Sequence, residues 1–448
     1  MDLTSKLHSS KFGMMLAEGS RCRDRNERWA LFGLLLFAFS AAPFANVAGV
    51  GLGVLFIAFL MSHRKIATWR EPVVIFLLVF LGWLSLNLAI GIQLHPQLLR
   101  DHFSQALYLL SVPVFTLIVA WAMQARIERI WLVLSTALAG YLLAVLLPLI
   151  SGEVTLSSFL AGDRHSMRFG HPIRLGLYST TILLAMLIWL PVWRSLEPRR
   201  LLLIGLYLLL LWLVIQALIV SQARVSWIGA AVVLPLVLAA RLWLFPRQHA
   251  IRPAHRLMMV GGGLLILIAG LFANHDTITD RWTSESATLM AGLQGEEVVF
   301  NSIGARFHMW NLGLEKFAER PWLGHGPASP EEYLDQFGTP LDQFSHLHST
   351  PIDLLVRTGL VGLLLMLLFM GMIVQAIIHA WRNELMDKRM LLFAAGALML
   401  LMIDSITGYP ISRTQGRFYI ALLGGIAYTA FLYRRQRLSA QNDGASQA

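Results

Sequence analysis

Apolar runs long enough to cross a bilayer recur along most of this chain, broken by short polar stretches. A helix needs roughly 20 apolar residues to traverse about 30 Å of hydrocarbon. Runs of this kind fall near 30–45, 46–62, 72–91, 104–123, 130–150, 172–193, 201–220, 225–243, 257–273, 351–380, 390–408 and 414–433. The pattern predicts an all-α polytopic membrane protein of about twelve transmembrane helices. The first pair is joined through Ala42-Pro43-Phe44 and reads as two spans or as one broken span. The run 351–380 is long for one crossing, so it tilts or begins outside the membrane. In this reading 1–273 carries helices one to nine, 274–350 is a large polar segment, 351–433 carries helices ten to twelve, and 434–448 is a tail.

The segment 274–350 is the only long stretch between spans, and its composition is polar and mixed. Connections of this length are usually functional or carry structure of their own. One helix is legible in it. Phe307, Trp310, Leu314 and Phe317 recur at spacings of three and four, with Arg306 in the first turn. Pro321 ends that helix, and Gly324-His325-Gly326-Pro327 reads as a turn. The part 284–304, with Glu296-Glu297, shows little periodicity and receives no assignment. Further on, Thr350 fits a helix N-cap, Pro351 the first helical position and Asp353 a capping-box acid. His348 then stands just ahead of a helix N-terminus, where the dipole favours anions and disfavours imidazolium. A neutral imidazole there suits a general base.

Composition agrees with a membrane protein. The chain is 56% hydrophobic and 14% charged, with mean hydropathy +0.62, where a soluble domain averages about 25% charged. A net charge of +10 and a pI near 10.1 raise the question of nucleic acid, which the distribution answers. With the N-terminus cytoplasmic, 24 of the 36 Lys and Arg fall in cytoplasmic segments, as the positive-inside rule expects. Both ends are then cytoplasmic, the polar segment lies on the opposite side, and no nucleic-acid partner is needed. No A-x-A-like cleavage site follows the first apolar run, which reads as an anchor. Cys22 is the single cysteine, so an intrachain disulfide and a zinc ribbon are both excluded.

The other twelve basic residues fall on the outer side. They are Arg100, Arg164, Arg168, Arg174, Arg224, Arg281, Arg306, Lys316, Arg320, Arg357, Arg413 and Arg417. Taken singly, each is met by snorkelling or a local ion pair. As an almost pure Arg set, they present forks suited to phosphate. Arg168 and Arg174 share the turn Met167-Arg168-Phe169-Gly170-His171-Pro172-Ile173-Arg174. Arg357 stands four residues after Asp353, the spacing of a helical ion pair. Asp404 lies near the outer end of a span, with Arg413 or Arg417 as a structural partner. Glu331-Glu332 reads as solvated loop charge. His346 and His348 lack an obvious third metal ligand. Asp-x-Asp, a P-loop and Gly-x-Ser-x-Gly are all missing from the sequence.

Three stretches in order carry a resemblance. They are Ser221-Gln222-Ala223-Arg224-Val225-Ser226-Trp227, then Arg306-Phe307-His308-Met309-Trp310 running to Pro321-Trp322-Leu323-Gly324-His325-Gly326, then His348-Ser349 followed after nine residues by Gly359-Leu360-Val361-Gly362. Together they resemble the O-antigen ligases within the O-antigen ligase/polymerase superfamily, over roughly 170–365. Leu363-Leu364-Leu365 follows the Gly-x-x-Gly where some members show Thr-Thr-Gly. The resemblance implies a GT-C-like membrane enzyme of the bacterial inner membrane with a periplasmic active site. It implies transfer of an O-antigen glycan from undecaprenyl pyrophosphate to a sugar hydroxyl of lipid A–core, without nucleotide, metal or other cofactor. The family's key His falls on His348 and its two key Arg on Arg224 and Arg306. Arg168, Arg174 and His346 are assigned to the pyrophosphate or to lipid A–core phosphate. Membrane lipids are the other expected partner. Polymerases of the superfamily instead join two lipid-linked repeats. A transporter of lipid-linked oligosaccharide is a different class, and spans almost free of midplane charge argue against it.

Overall fold

The computed structural model describes residues 20–22, 24–62, 71–189, 198–244, 301–338 and 341–434, with Glu18 and isolated positions between 275 and 294. The helices in chain order begin with α1 (Arg25–Ser40), α2 (Ala45–Met61), α3 (Pro72–Leu94), α4 (Leu99–Met123) and α5 (Ile127–Ile150). Next come α6 (Leu156–Ala161), α7 (Pro172–Ile188), α8 (Pro198–Val220) and α9 (Arg224–Leu244). After these stand α10 (Gly304–Glu319), α11 (Ser329–Phe337), α12 (Thr350–Arg382), α13 (Lys388–Ile406) and α14 (Thr414–Leu432). No strand occurs among the described residues. The protein is an all-α, multi-pass membrane protein. Among the described residues, seven helices are long and apolar enough to cross a bilayer, and α2 and α7 are shorter apolar helices. Eleven of the twelve apolar runs lie on helices. The run 257–273, Arg281 and Glu296-Glu297 lie outside the described residues.

The chain forms two compact units. One draws on residues 1–141, 308–395 and 405–448, the other on 142–307 and 396–404. In the first, α1 and α2 are separate helices joined by a turn and packed together. Small residues make their close approach feasible, because a Cβ on Gly33 would stand 2.8 Å from the Gly51 carbonyl. The same logic joins α4 to α14. A Cβ on Gly424 would meet Thr116, and one on Gly425 would meet Val119. Thr429 Oγ1 seals that seam, donating to Ala120 O at 2.8 Å and accepting the Ala125 amide at 2.8 Å. Arg129 and Glu27 form a buried pair at 2.7 Å.

In the second unit α7 packs against α8 and α9. The first turns of α7 and α9 touch. A Cβ on Gly176 would lie 2.5 Å from Ser226 Oγ and 3.0 Å from Ala223 Cβ. Two glutamines tie the short helix α6 to its neighbours. Gln216 donates to Phe159 O at 2.6 Å, and Gln222 donates to Gly162 O at 3.1 Å.

Candidate active site

The first unit carries the histidine pair. Helix α12 begins with Ser349 at the N-cap, one residue before the Thr350 that the sequence pattern selects. Thr350 is diverted into a tertiary contact, its hydroxyl donating to Gly408 O at 2.8 Å. Asp353 is diverted as well. Its buried carboxylate accepts the Leu347 amide at 2.6 Å and the Arg357 Nε. His348 lies between Leu347 and Ser349 with φ +52, a left-handed conformation uncommon outside glycine. Its half-buried ring stands 4.3 Å from that of His346 and edge-on to Phe344 at 5.3 Å. His346 is buried, 5.9 Å from the Tyr409 ring.

Eleven residues after His348, α12 is interrupted at Gly359, where φ is 64° and ψ −172°. That combination is essentially reserved for glycine. The interruption frees backbone groups, and residues 321–326 take them. The His325 and Gly326 amides donate to the Val356 and Arg357 carbonyls, each at 2.9 Å. The Leu360 amide donates to Pro321 O at 2.8 Å. Asn87, reaching from α3, adds bonds to Leu323 O and Arg357 O, both at 2.9 Å. The Gly-x-x-Gly is therefore the seat of a clasp, and α12 is not one continuous helix across it. The break also accounts for the length of α12, since 360–382 alone measures about 35 Å, enough for one crossing.

His325 anchors the far side of the clasp. Its Nε2 lies 2.7 Å from Lys316 O, to which it must donate. The neutral ring then accepts the Tyr333 hydroxyl at Nδ1, 2.6 Å away. Burial holds the His325 pKa below its usual 6.5. As pH falls past about 6.5, the unfolded chain takes up a proton that the folded chain refuses. Stability is thus full above that pH and declines below it until the lower folded pKa is reached. The expected result is a lower unfolding temperature at pH 5 than at pH 7.5, with a smaller gap in His325→Gln. An unchanged gap in that variant would remove His325 as the source.

The four predicted arginines lie in the second unit. Arg224 opens α9, Arg174 is the third residue of α7 and Arg306 the third of α10. Each is thus a cation in the first turn of a helix, against the sense of the dipole. The turn before Arg224 is stapled from both sides. Ser221 Oγ donates to Leu218 O at 2.6 Å, and Trp227 Nε1 donates to the same carbonyl at 3.0 Å. Asn301 caps α10, its Oδ1 accepting the Ile303 and Gly304 amides at 3.0 Å. Arg174 and Asp404 form a buried pair at 3.0 Å, and the charge of Arg306 also acts on Asp404. Asp404 therefore pairs with Arg174, not with Arg413 or Arg417. Arg417 lies over the Tyr108 ring at 3.7 Å and donates to Ile411 O at 2.7 Å. Arg168 is partly exposed and paired with Glu153.

Two further expectations are corrected. Helix α10 exists as read, but its buried face is Ala305, Met309 and Gly313, while Leu314 is exposed. Gly313 decides the orientation because a Cβ there would meet Ile352 and Leu347 within 2.8 Å. Glu331-Glu332 is not loop charge but the first turn of α11, with Pro330 at its start. Those are helix-start signals in the sequence itself. No sequence motif marks Tyr409, yet in Gly408-Tyr409-Pro410 it sits beside His346 and under the Arg357 guanidinium at 5.2 Å.

Helices of this length and apolarity describe a polytopic membrane protein. Residues 209–367 match the family described as O-antigen ligase. The chain is also similar to the exopolysaccharide production protein ExoQ of Rhizobium meliloti (strain 1021), at 26% identity over 210 residues. That alignment covers 43% of this chain and 44% of the relative, so it spans less than half of either protein. The two findings support the O-antigen ligase/polymerase superfamily, whose matched family contains glycosyltransferase-like enzymes of polysaccharide synthesis.

Proposed function

We propose that this protein is an O-antigen ligase. It moves a glycan from undecaprenyl pyrophosphate to a sugar hydroxyl of lipid A–core, on the periplasmic side of the inner membrane. The observation that carries the reading is the family match over 209–367, which contains Arg224, Arg306, His348 and the Gly-x-x-Gly together. In this mechanism His348 takes the proton of the acceptor hydroxyl. The acceptor oxygen bonds to the anomeric carbon as the bond from that carbon to the pyrophosphate oxygen breaks, inverting the centre in one step. The electron pair leaves with the lipid pyrophosphate. Arg224 and Arg306 offset the charge gathering there, as guanidinium forks suited to phosphate. Arg168, Arg174 and His346 serve the second phosphate or the lipid A–core phosphates.

The test is reconstitution of the purified protein with lipid-linked glycan and lipid A–core in the presence of EDTA. Transfer that persists in EDTA supports the reading, and a product lengthened on the lipid carrier replaces it with polymerase. The name of the ExoQ relative, a protein of exopolysaccharide production, is the specific ground for that second reading. Arg224→Lys and Arg306→Lys keep the charge and lose the fork. Each is expected to lower the transfer rate by about tenfold. Rates equal to wild type in both variants would count against the clamp.

A further inference from the structure

We infer that Asp353 and Arg357 are positioning residues for the transfer, holding the backbone that carries His348 in its reactive pose. The inference rests on the reading of His348 as the base. A buried ion pair on one helix is ordinarily sufficient to itself, each partner spending its hydrogen bonds on the other. This pair spends them elsewhere. Asp353 gives one oxygen to Arg357 and the other to the Leu347 amide, at 2.6 Å. Arg357 gives Nε to Asp353, one terminal nitrogen to Ser345 O at 3.0 Å and the other to Pro327 O. Its guanidinium lies over the Tyr409 ring, 5.2 Å from the centroid, and His346 lies beside that same ring.

The consequence is a segment of six residues, 345–350, held at fixed points. Ser345 is held through its carbonyl and Leu347 through its amide. The start of the helix is held by Thr350 on Gly408 O. His348 falls between the last two points, in a backbone conformation that a non-glycine residue leaves unless held. Arg357 and Asp353 are both buried, at 1% and 0% exposure. Neither reaches solvent, so the pair is a fixture for the segment. A displacement of a reacting group by about 1 Å can cost about a hundredfold in rate, which gives the hold a catalytic value.

The decisive variant is the double substitution Asp353→Asn/Arg357→Gln in the full-length protein. It removes both charges together, so no uncompensated charge is left buried and the fold is retained. The grip on Ser345 and Pro327 is lost all the same. The expected result is an unfolding temperature close to wild type and a transfer rate at saturating substrates at least about tenfold lower, with the donor KM within about threefold. Carbethoxylation by diethyl pyrocarbonate, read by mass spectrometry, supplies a measure independent of turnover. The labelling rates of His346 and His348 should change by threefold or more, while that of His379, near the far end of α12, stays constant. If the double variant is not recovered folded, Arg357→Lys is measured in the same way, since Lys keeps a cation beside Asp353 and loses the fork that reaches Ser345 O and Pro327 O. A wild-type rate per folded molecule, or unchanged labelling of both histidines, overturns the inference. Failure of the base reading is recognised separately, by a His348→Ala protein that transfers at the wild-type rate.

Discussion

Replacing His348 with Ala is expected to reduce glycan transfer by about 10² to 10⁴-fold, the range for removing a general base. The protein should still be recovered from the membrane in folded form. His348 is only half-buried, so truncating its ring leaves no large cavity. The backbone is the complication, because φ is +52 at this position and Ala tolerates that poorly. His348→Asn is the better-matched control, since Asn enters the left-handed region more readily and cannot serve as a base near neutral pH. Both variants should fail to transfer, with unfolding temperatures within a few degrees of wild type. Transfer at the wild-type rate in either one would end the assignment of His348. His346, 4.3 Å away ring to ring, is the group to which any residual activity would be traced.

The largest effect on stability is expected at Gly359. A Cβ there would lie 2.3 Å from the Trp322 carbonyl oxygen and 2.6 Å from the Leu323 amide nitrogen. Those atoms belong to the clasp, and moving them loosens the bonds from Leu360 to Pro321 O and from Val361 to Trp322 O. The conformation itself costs Ala about 1–3 kcal/mol. Loosening two hydrogen bonds adds about 1 kcal/mol each. Gly359→Ala should therefore cost about 3–5 kcal/mol, read as a lower unfolding temperature and a poor folded yield in detergent. Gly371 in the same helix is the contrast. Nothing lies within 4 Å of a Cβ there, and Ala should be tolerated or mildly stabilising. Equal behaviour of the two variants would mean that α12 is not interrupted at Gly359.

These positions also show where the sequence was readable. The all-α, multi-pass character was, because runs of apolar residues near 20 in length have few other uses. Helix α10 was legible from its spacing and from Pro321, and the Asp353–Arg357 pair from its i,i+4 register. The orientation of α10 was not. Hydrophobicity counting selects Phe307, Trp310, Leu314 and Phe317, whereas the packed face turns on the missing side chain of Gly313. The break at Gly359 was hidden for a related reason. Glycine in a membrane helix commonly marks close packing, and only the 321–326 segment, distant in sequence, supplies the bonds that make a break affordable. Asp404 was recognised as an acid in need of a partner, but Arg174 stands 230 residues away, and no local pattern points to it. At the candidate site the individual residue types were legible. The support around His348 was legible only in part, because Ser345 O, Leu347 N and Pro327 O are backbone atoms with no sequence signature.

That separation of 230 residues has a consequence for biogenesis. At translation rates of about 5–20 residues per second, Asp404 leaves the ribosome some 10–50 s after Arg174. Helix α7 must therefore be threaded into the bilayer with its arginine unmatched. Placement in the first turn makes the wait tolerable, since a side chain so near the helix end can extend its guanidinium toward the headgroups. When α13 arrives, Asp404 draws that arginine inward, and the nascent chain acquires a bond between an early and a late segment. The second unit, which includes residues 396–404, is then complete only once α13 has been synthesised.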